Sequence, residues 1–190
     1  MNLQLPHVEG GALMKFYDGW RPKDGLTINN ALAVQDVETD NESLTIYACC
    51  DHFRVNKKPL GGLTLTIRYS SPMQDVIRVQ IYHHKGTPKK APSLVKEGSF
   101  PVTIEQDQEK VMLTTGGLSV SVDKSKEFLV DFLNYGKRFT GTAHKCTSYI
   151  ASGDGNAYIK EELTLGVSEI VYGLGERFSA FVKNGQSLDI

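Results

Sequence analysis

Apolar residues recur at every second position along most of this chain, and that periodicity decides what it can fold into. Leu63, Leu65, Ile67 and Tyr69 alternate with Thr64, Thr66 and Arg68, and Ile77, Val79 and Ile81 alternate with Arg78, Gln80 and Tyr82. Successive side chains of an extended strand point to opposite faces, so this spacing gives each strand one apolar and one polar face. The theme repeats in Ser43-Leu44-Thr45-Ile46-Tyr47-Ala48, Val102-Thr103-Ile104, Val111-Met112-Leu113 and Leu118-Ser119-Val120-Ser121-Val122. It continues through Phe128, Val130 and Phe132, then Tyr149-Ile150, Tyr158-Ile159 and Leu163-Thr164-Leu165. Short polar or glycine links join the runs, among them the acidic turn Asp40-Asn41-Glu42 and the hairpin turn Asn134-Tyr135-Gly136-Lys137. No run carries the helical period at length, and strands do not alternate with helices, which excludes a complete (β/α)8 barrel. The pattern predicts an all-β, antiparallel β-sandwich.

Before Leu32 the alternation is absent. From Met1 to about Ile28 the chain is expected to be irregular, broken by Gly10, Gly11, Gly19, Pro22 and Gly25. The lone tryptophan, Trp20, lies here beside Tyr17. It is either a buried anchor for this arm or a ring on which a sugar stacks.

With 190 residues the chain can bury a real core and fits one domain, or one and a fraction. A formal net charge of −1 argues against nucleic acid or an anionic membrane surface as partner, since both need concentrated Lys and Arg. The basic run at Lys85, Lys89 and Lys90 reads as a solvated loop. Met1 to Pro6 has neither the basic start nor the apolar core of a secretory leader, and no stretch reaches membrane-spanning length. Cys49, Cys50 and Cys146 are odd in number, and neighbours in a strand face opposite ways, so Cys49 and Cys50 are poor disulfide partners. A cytoplasmic location is expected, where the acceptor-like Asn41-Glu42-Ser43 carries no glycan.

Most candidate chemistry fails on spacing. Cys49, Cys50 and His52 offer ligands close together, but zinc needs a second pair at loop distance, and Cys146 with His144 is a remote one; no metal is expected. His83-His84 resembles a mutarotase pair, yet adjacent strand residues cannot both line one pocket. No Gly-x-Ser-x-Gly elbow is present. Gly173-Leu174-Gly175 lacks the third glycine, the Lys-Ser/Thr and the following helix of a nucleotide loop, so no cofactor is expected.

One stretch stands apart from generic strand. Ile170-Val171-Tyr172 runs into Gly173-Leu174-Gly175, then Glu176-Arg177-Phe178, and Phe181-Val182-Lys183 leads to Asn184-Gly185. Glycine supplies positive φ or close backbone approach, which predicts a strand ending in a sharp bend. Asn-Gly between apolar flanks predicts a hairpin, with Ser187-Leu188-Asp189-Ile190 as the first half of its returning strand. A chain stopping there is expected to be cut in mid-hairpin. Glu176 and Arg177 either pair with neighbouring polar groups and hold the bend against another domain, or form the lip of a sugar pocket.

The run from Val171 to Gln186 resembles the segment near the end of the N-terminal β-domain in glycoside hydrolase family 31, in particular its α-xylosidase branch. Weaker echoes cover Leu63 to Pro72, Val79 to His83, and Asp131-Phe132-Leu133 with Gly136-Lys137-Arg138 and Thr140-Gly141. The resemblance implies a supersandwich of the galactose-mutarotase kind, truncated before its last strands, with residues 1–190 forming the N-terminal domain of a larger enzyme. Retaining hydrolysis uses two carboxyl groups about 5–5.5 Å apart. In the family both are aspartates of a catalytic (β/α)8 barrel that this chain lacks, so no catalytic residue is assigned. The implied parent is a cofactor-free α-xylosidase or α-glucosidase. Its own barrel, an α-linked oligosaccharide and further subunits of a homo-oligomer are the implied partners. Gly173, Gly175, Glu176, Arg177, Phe178, Lys183 and Asn184 become candidates for the pocket rim or the barrel contact. The family's acidic sugar contact lies beyond the Asn-Gly turn, so Asp189 is not given that role. The alternatives are a stand-alone carbohydrate-binding module, which would need exposed aromatics on one face, and a structural or oligomerisation domain.

Overall fold

The computed structural model describes residues 16–18, 21–50, 62–84, 98–125, 127–175 and 179–186. Fourteen strands and no long helix run through them: β1 (Tyr17–Asp18), β2 (Arg21–Pro22), β3 (Leu26–Asn30), β4 (Ala33–Thr39), β5 (Ser43–Cys49), β6 (Thr64–Ser70) and β7 (Arg78–Tyr82) form the first half. The second half holds β8 (Thr103–Gln106), β9 (Lys110–Thr115), β10 (Leu118–Asp123), β11 (Leu129–Asn134), β12 (Lys137–Gly141), β13 (Thr147–Ser152) and β14 (Ala157–Glu161).

Two meanders make the sandwich. One sheet has the order β4-β5-β6-β7 and the other β12-β11-β10-β9-β8, every pairing antiparallel. Register partners share a face, so the alternation in each strand adds to its neighbour's. Leu44, Ile46 and Ala48 of β5 stand opposite Tyr69, Ile67 and Leu65 of β6. Val120 of β10 lies between Leu113 of β9 and Phe132 of β11. These apolar faces merge into one core cluster, which Ala31, Cys50 and Phe128 complete. The predicted sandwich is therefore present, with its core between the two meanders.

The N-terminal reading needs correction. Leu26–Asn30 is a strand, pairing with β13 so that Ile28 faces Ile150, in a third sheet ordered β14-β13-β3. Only five residues long, β3 offers too few alternations to be seen locally, and its partner lies more than a hundred residues away. The chain then passes between sheets at two residues: Ala31 N–H donates to Thr147 O at 2.8 Å, and Leu32 N–H to Cys49 O at 2.9 Å. Upstream, the Phe16 ring packs on Tyr158 at 5.1 Å and the Lys160 ammonium sits 5.7 Å over the Tyr17 ring. Trp20 lies outside the described residues.

The turns follow their chemistry. Tyr135 and Gly136 have φ of 46° and 78°, the doubly left-handed geometry that lets a two-residue loop match strand twist. In the acidic turn, Asp40 Oδ1 accepts from the Glu42 and Ser43 N–H groups, both at 2.7 Å. The bond from Glu42 N–H is the leading cause that holds its carboxyl below the usual range. Cys50 belongs to the core while Cys49 lies on the opposite face of β5, as adjacent strand residues must.

At the end of β14, burial pushes the Glu161 carboxyl up to about 6, against a hydrogen bond from Thr147 that lowers it. The neutral acid is favoured, so its contribution to stability is full below pH 4.5 and is lost as pH rises through about 6. The residue as a whole is exposed at the strand end, so solvent screens the effect to about 1 kcal/mol. Glu161→Gln is expected to unfold at higher urea concentration than the unsubstituted chain at pH 7, with the difference closing by pH 4.

Candidate functional site

The segment after β14 departs from the sandwich. Glu162 N–H still donates to Cys146 O at 3.0 Å and Thr164 N–H to Gly141 O at 2.8 Å, so the backbone runs alongside β12. Leu163-Thr164-Leu165 is nevertheless not a strand, and Leu163 and Leu165 face solvent. Ile170-Val171-Tyr172 is not a strand either, which corrects the predicted strand, while the expected returning half of the hairpin, Ser187 to Ile190, lies outside the described residues. The reason is local: Ser168, Gly173, Leu174 and Gly175 all have positive φ, at 70°, 108°, 67° and 77°. Four left-handed residues within eight positions cannot continue an extended run.

What forms instead is a loop closed on itself. Gly166 N–H donates to the Glu169 carboxylate at 2.5 Å, and Glu169 N–H returns to Gly166 O at 3.2 Å. Asn184 and Gly185 do form the expected turn, with φ of 70° at Gly185, but no strand leads into it among the described residues. The Asn184 carboxamide accepts from Val171 N–H at 2.8 Å and donates to Glu169 O at 2.9 Å. Lys183 N–H donates to Val171 O at 2.8 Å. The Lys183 ammonium turns inward and donates to Ser179 Oγ at 2.8 Å and Ala180 O at 2.7 Å.

Polarity in this loop is inverted. Among the described residues of 166–186, Lys183 is the one buried side chain, at 9% exposure. Val167 is fully exposed and Phe181 is 78% exposed, and Ile170, Tyr172 and Leu174 also face out. Tyr172 and Phe181 pack on each other with ring centres 4.8 Å apart, tilted by 40°. Water selects the opposite arrangement, and a cluster of exposed large apolar side chains such as the Tyr172–Phe181 pair marks a contact with something else.

Of the predicted site residues, Gly173, Gly175, Lys183 and Asn184 are brought into this one loop, while Glu176, Arg177 and Phe178 lie outside the described residues. Val167, Glu169 and Tyr172 belong to the same loop and were not among the candidates; a hairpin reading hides them, because it assigns alternate residues to a core. The other candidates are engaged elsewhere. The strand preceding His83 ends at Tyr82, and the His83 ring packs on Tyr149 at 4.9 Å with Nδ1 3.1 Å from Thr64 O. His144 pairs with Glu127 at 3.1 Å, and burial pushes the Cys146 thiol up, away from the thiolate a metal requires. Asp51 and His52 lie outside the described residues; among those described, no three His, Cys, Asp or Glu side chains gather to hold a metal. Within the same residues, no helix is long and apolar enough to cross a membrane.

The glycosyl hydrolase 31 N-terminal galactose mutarotase-like domain matches residues 66–190. This chain belongs to that family. Its relatives include the α-xylosidase XylQ of Lactiplantibacillus pentosus, 31% identical over 179 residues, which takes in 93% of the chain and 23% of XylQ. An α-xylosidase of Emericella nidulans is 28% identical over 202 residues, 93% of the chain and 26% of that enzyme. The chain thus spans about a quarter of the length of the curated relatives it matches. Among solved structures, the cycloalternan-forming enzyme of Listeria monocytogenes, crystallised with a pentasaccharide substrate, superimposes with a TM-score of 0.62. That match is 18% identical and covers 83% of the chain and 14% of the enzyme, and it shares the fold. The family 31 domain is thus the sandwich described above, and the inverted loop lies within the matched region.

Proposed function

We propose that this family 31 domain is the non-catalytic N-terminal part of a cytoplasmic, retaining α-glycosidase of the α-xylosidase type. It packs on the catalytic barrel and helps to shape the entrance of the sugar pocket. The observation that carries this reading is the inverted loop at 166–186, whose described apolar residues face outward while its lysine is buried. A surface left like that is explained by a large covering partner, and the relatives, about four times longer, supply the room for one in the same polypeptide. The names of both curated relatives point to a terminal α-linked xylose as substrate. Three cysteines that form no disulfide, one of them in the core, suit a reducing compartment.

A two-sided assay tests this. The longer gene product is expected to hydrolyse an aryl α-xyloside, run beside an aryl α-glucoside, and the 190-residue chain to hydrolyse neither. Turnover by the chain alone would overturn the non-catalytic assignment, and an inert longer product would overturn the α-glycosidase reading.

A further inference from the structure

We infer that Lys183 and Asn184 are positioning residues that lock segment 169–175 to segment 179–186 from within, before any other part of the protein covers them. Their motif points outward, to a sugar or a neighbouring domain, but the geometry turns both inward. The Asn184 carboxamide stands in for a peptide group, accepting from Val171 N–H and donating to Glu169 O, as a strand partner would. Lys183 adds its own N–H to Val171 O, so three bonds join 169–171 to 183–184. Its ammonium draws Ser179 and Ala180 onto the same point. Buried and donating to two oxygens, that ammonium is spent on the loop and not presented to a ligand.

The lock is needed because of what lies between its ties. Gly173, Leu174 and Gly175 are all left-handed, and Leu174, which carries a Cβ, favours relaxing out of that geometry. Fixing both ends removes that option and sets the Tyr172–Phe181 pair in place. The purpose assigned to the shape, a pocket lip seated on the barrel, rests on the proposed function; the lock itself does not.

Hydrogen exchange on the 190-residue chain tests the lock. The Val171 and Lys183 amides are expected to be protected, and Asn184→Ala to exchange them roughly tenfold faster while strand amides such as Ile46 keep their rates. Lys183→Met keeps the aliphatic stem and loses the donors, so it is expected to loosen the loop, and Lys183→Arg to restore it in part. In the longer protein, Lys183→Met is expected to raise KM for an aryl α-xyloside about fivefold with kcat within about twofold. Unchanged exchange at Val171 and Lys183 in Asn184→Ala overturns the lock. Unchanged KM in a variant with a loosened loop overturns the positioning role. If the unsubstituted longer protein turns over no α-xyloside, the functional reading fails instead, and the exchange rates still decide the lock.

Discussion

Ile46→Ala is expected to destabilise the chain by about 3–4 kcal/mol, near the upper part of the range for large-to-small core changes. Ile46 is fully buried at the centre of β5, opposite Val37 of β4 and Ile67 of β6, and Ile67 in turn faces Ile81 of β7. The walls of the cavity that Ala would leave are strands held in register by their ladders, so they cannot collapse inward to fill it. Val79→Ala is the control. Val79 is 37% exposed on an edge strand, and its truncation should cost no more than about 0.5 kcal/mol. Urea unfolding of both variants, with unchanged slope, would show the contrast. Equal midpoints for the two would mean that the core does not lie between the meanders.

That pair also marks how far the alternation could be read. From Leu44 to Cys49 of β5 and along all of β6 it gave the right answer, because both strands are central and an apolar side chain there has one place to go; Ser43, buried at the start of β5, is the exception. On β7 the same spacing promised that Val79 would be as buried as Ile81, and it is not, since an edge strand has a neighbour on one side only. The strand β3 was missed for the opposite reason: its pairing with β13 is real, but five residues cannot carry a periodic signal against the surrounding glycines. Beyond β14 the rule itself fails. Alternation predicts a strand because it assumes that apolar residues face a core within the chain, whereas Leu163, Leu165, Ile170 and Tyr172 face outward. The glycine pair did foretell positive φ at Gly173 and Gly175, and the Asn-Gly turn forms. The use of the Asn184 side chain as a strand substitute depends on residues thirteen and fifteen positions away and leaves no mark in local spacing, and the inward turn of Lys183 onto Ser179 and Ala180 needs a bend that alternation does not announce.

Phe181→Asp should separate the two accounts of that outward face more sharply than any change inside the sandwich. In the 190-residue chain Phe181 is 78% exposed and touches Tyr172 along one edge. A carboxylate placed there stays in water, so the unfolding midpoint should move by no more than about 0.5 kcal/mol. In the longer protein, on the proposed reading, the same side chain sits against the barrel. Aspartate would then be an unpaired charge inside an apolar contact, and that costs about 3 kcal/mol or more. The expected result is a longer protein in which this domain unfolds separately and at lower temperature, with a matching fall in α-xyloside turnover, while the chain alone is unaffected. Val167→Asp, fully exposed in the chain, should behave the same way if it belongs to the same covered surface. A longer protein indifferent to both substitutions would mean that the inverted loop remains in water, and the barrel contact would have to be sought on another face of the sandwich. A chain that is itself destabilised by Phe181→Asp would mean that the Tyr172–Phe181 pair holds the loop, a task the hydrogen-bond geometry assigns to Lys183 and Asn184.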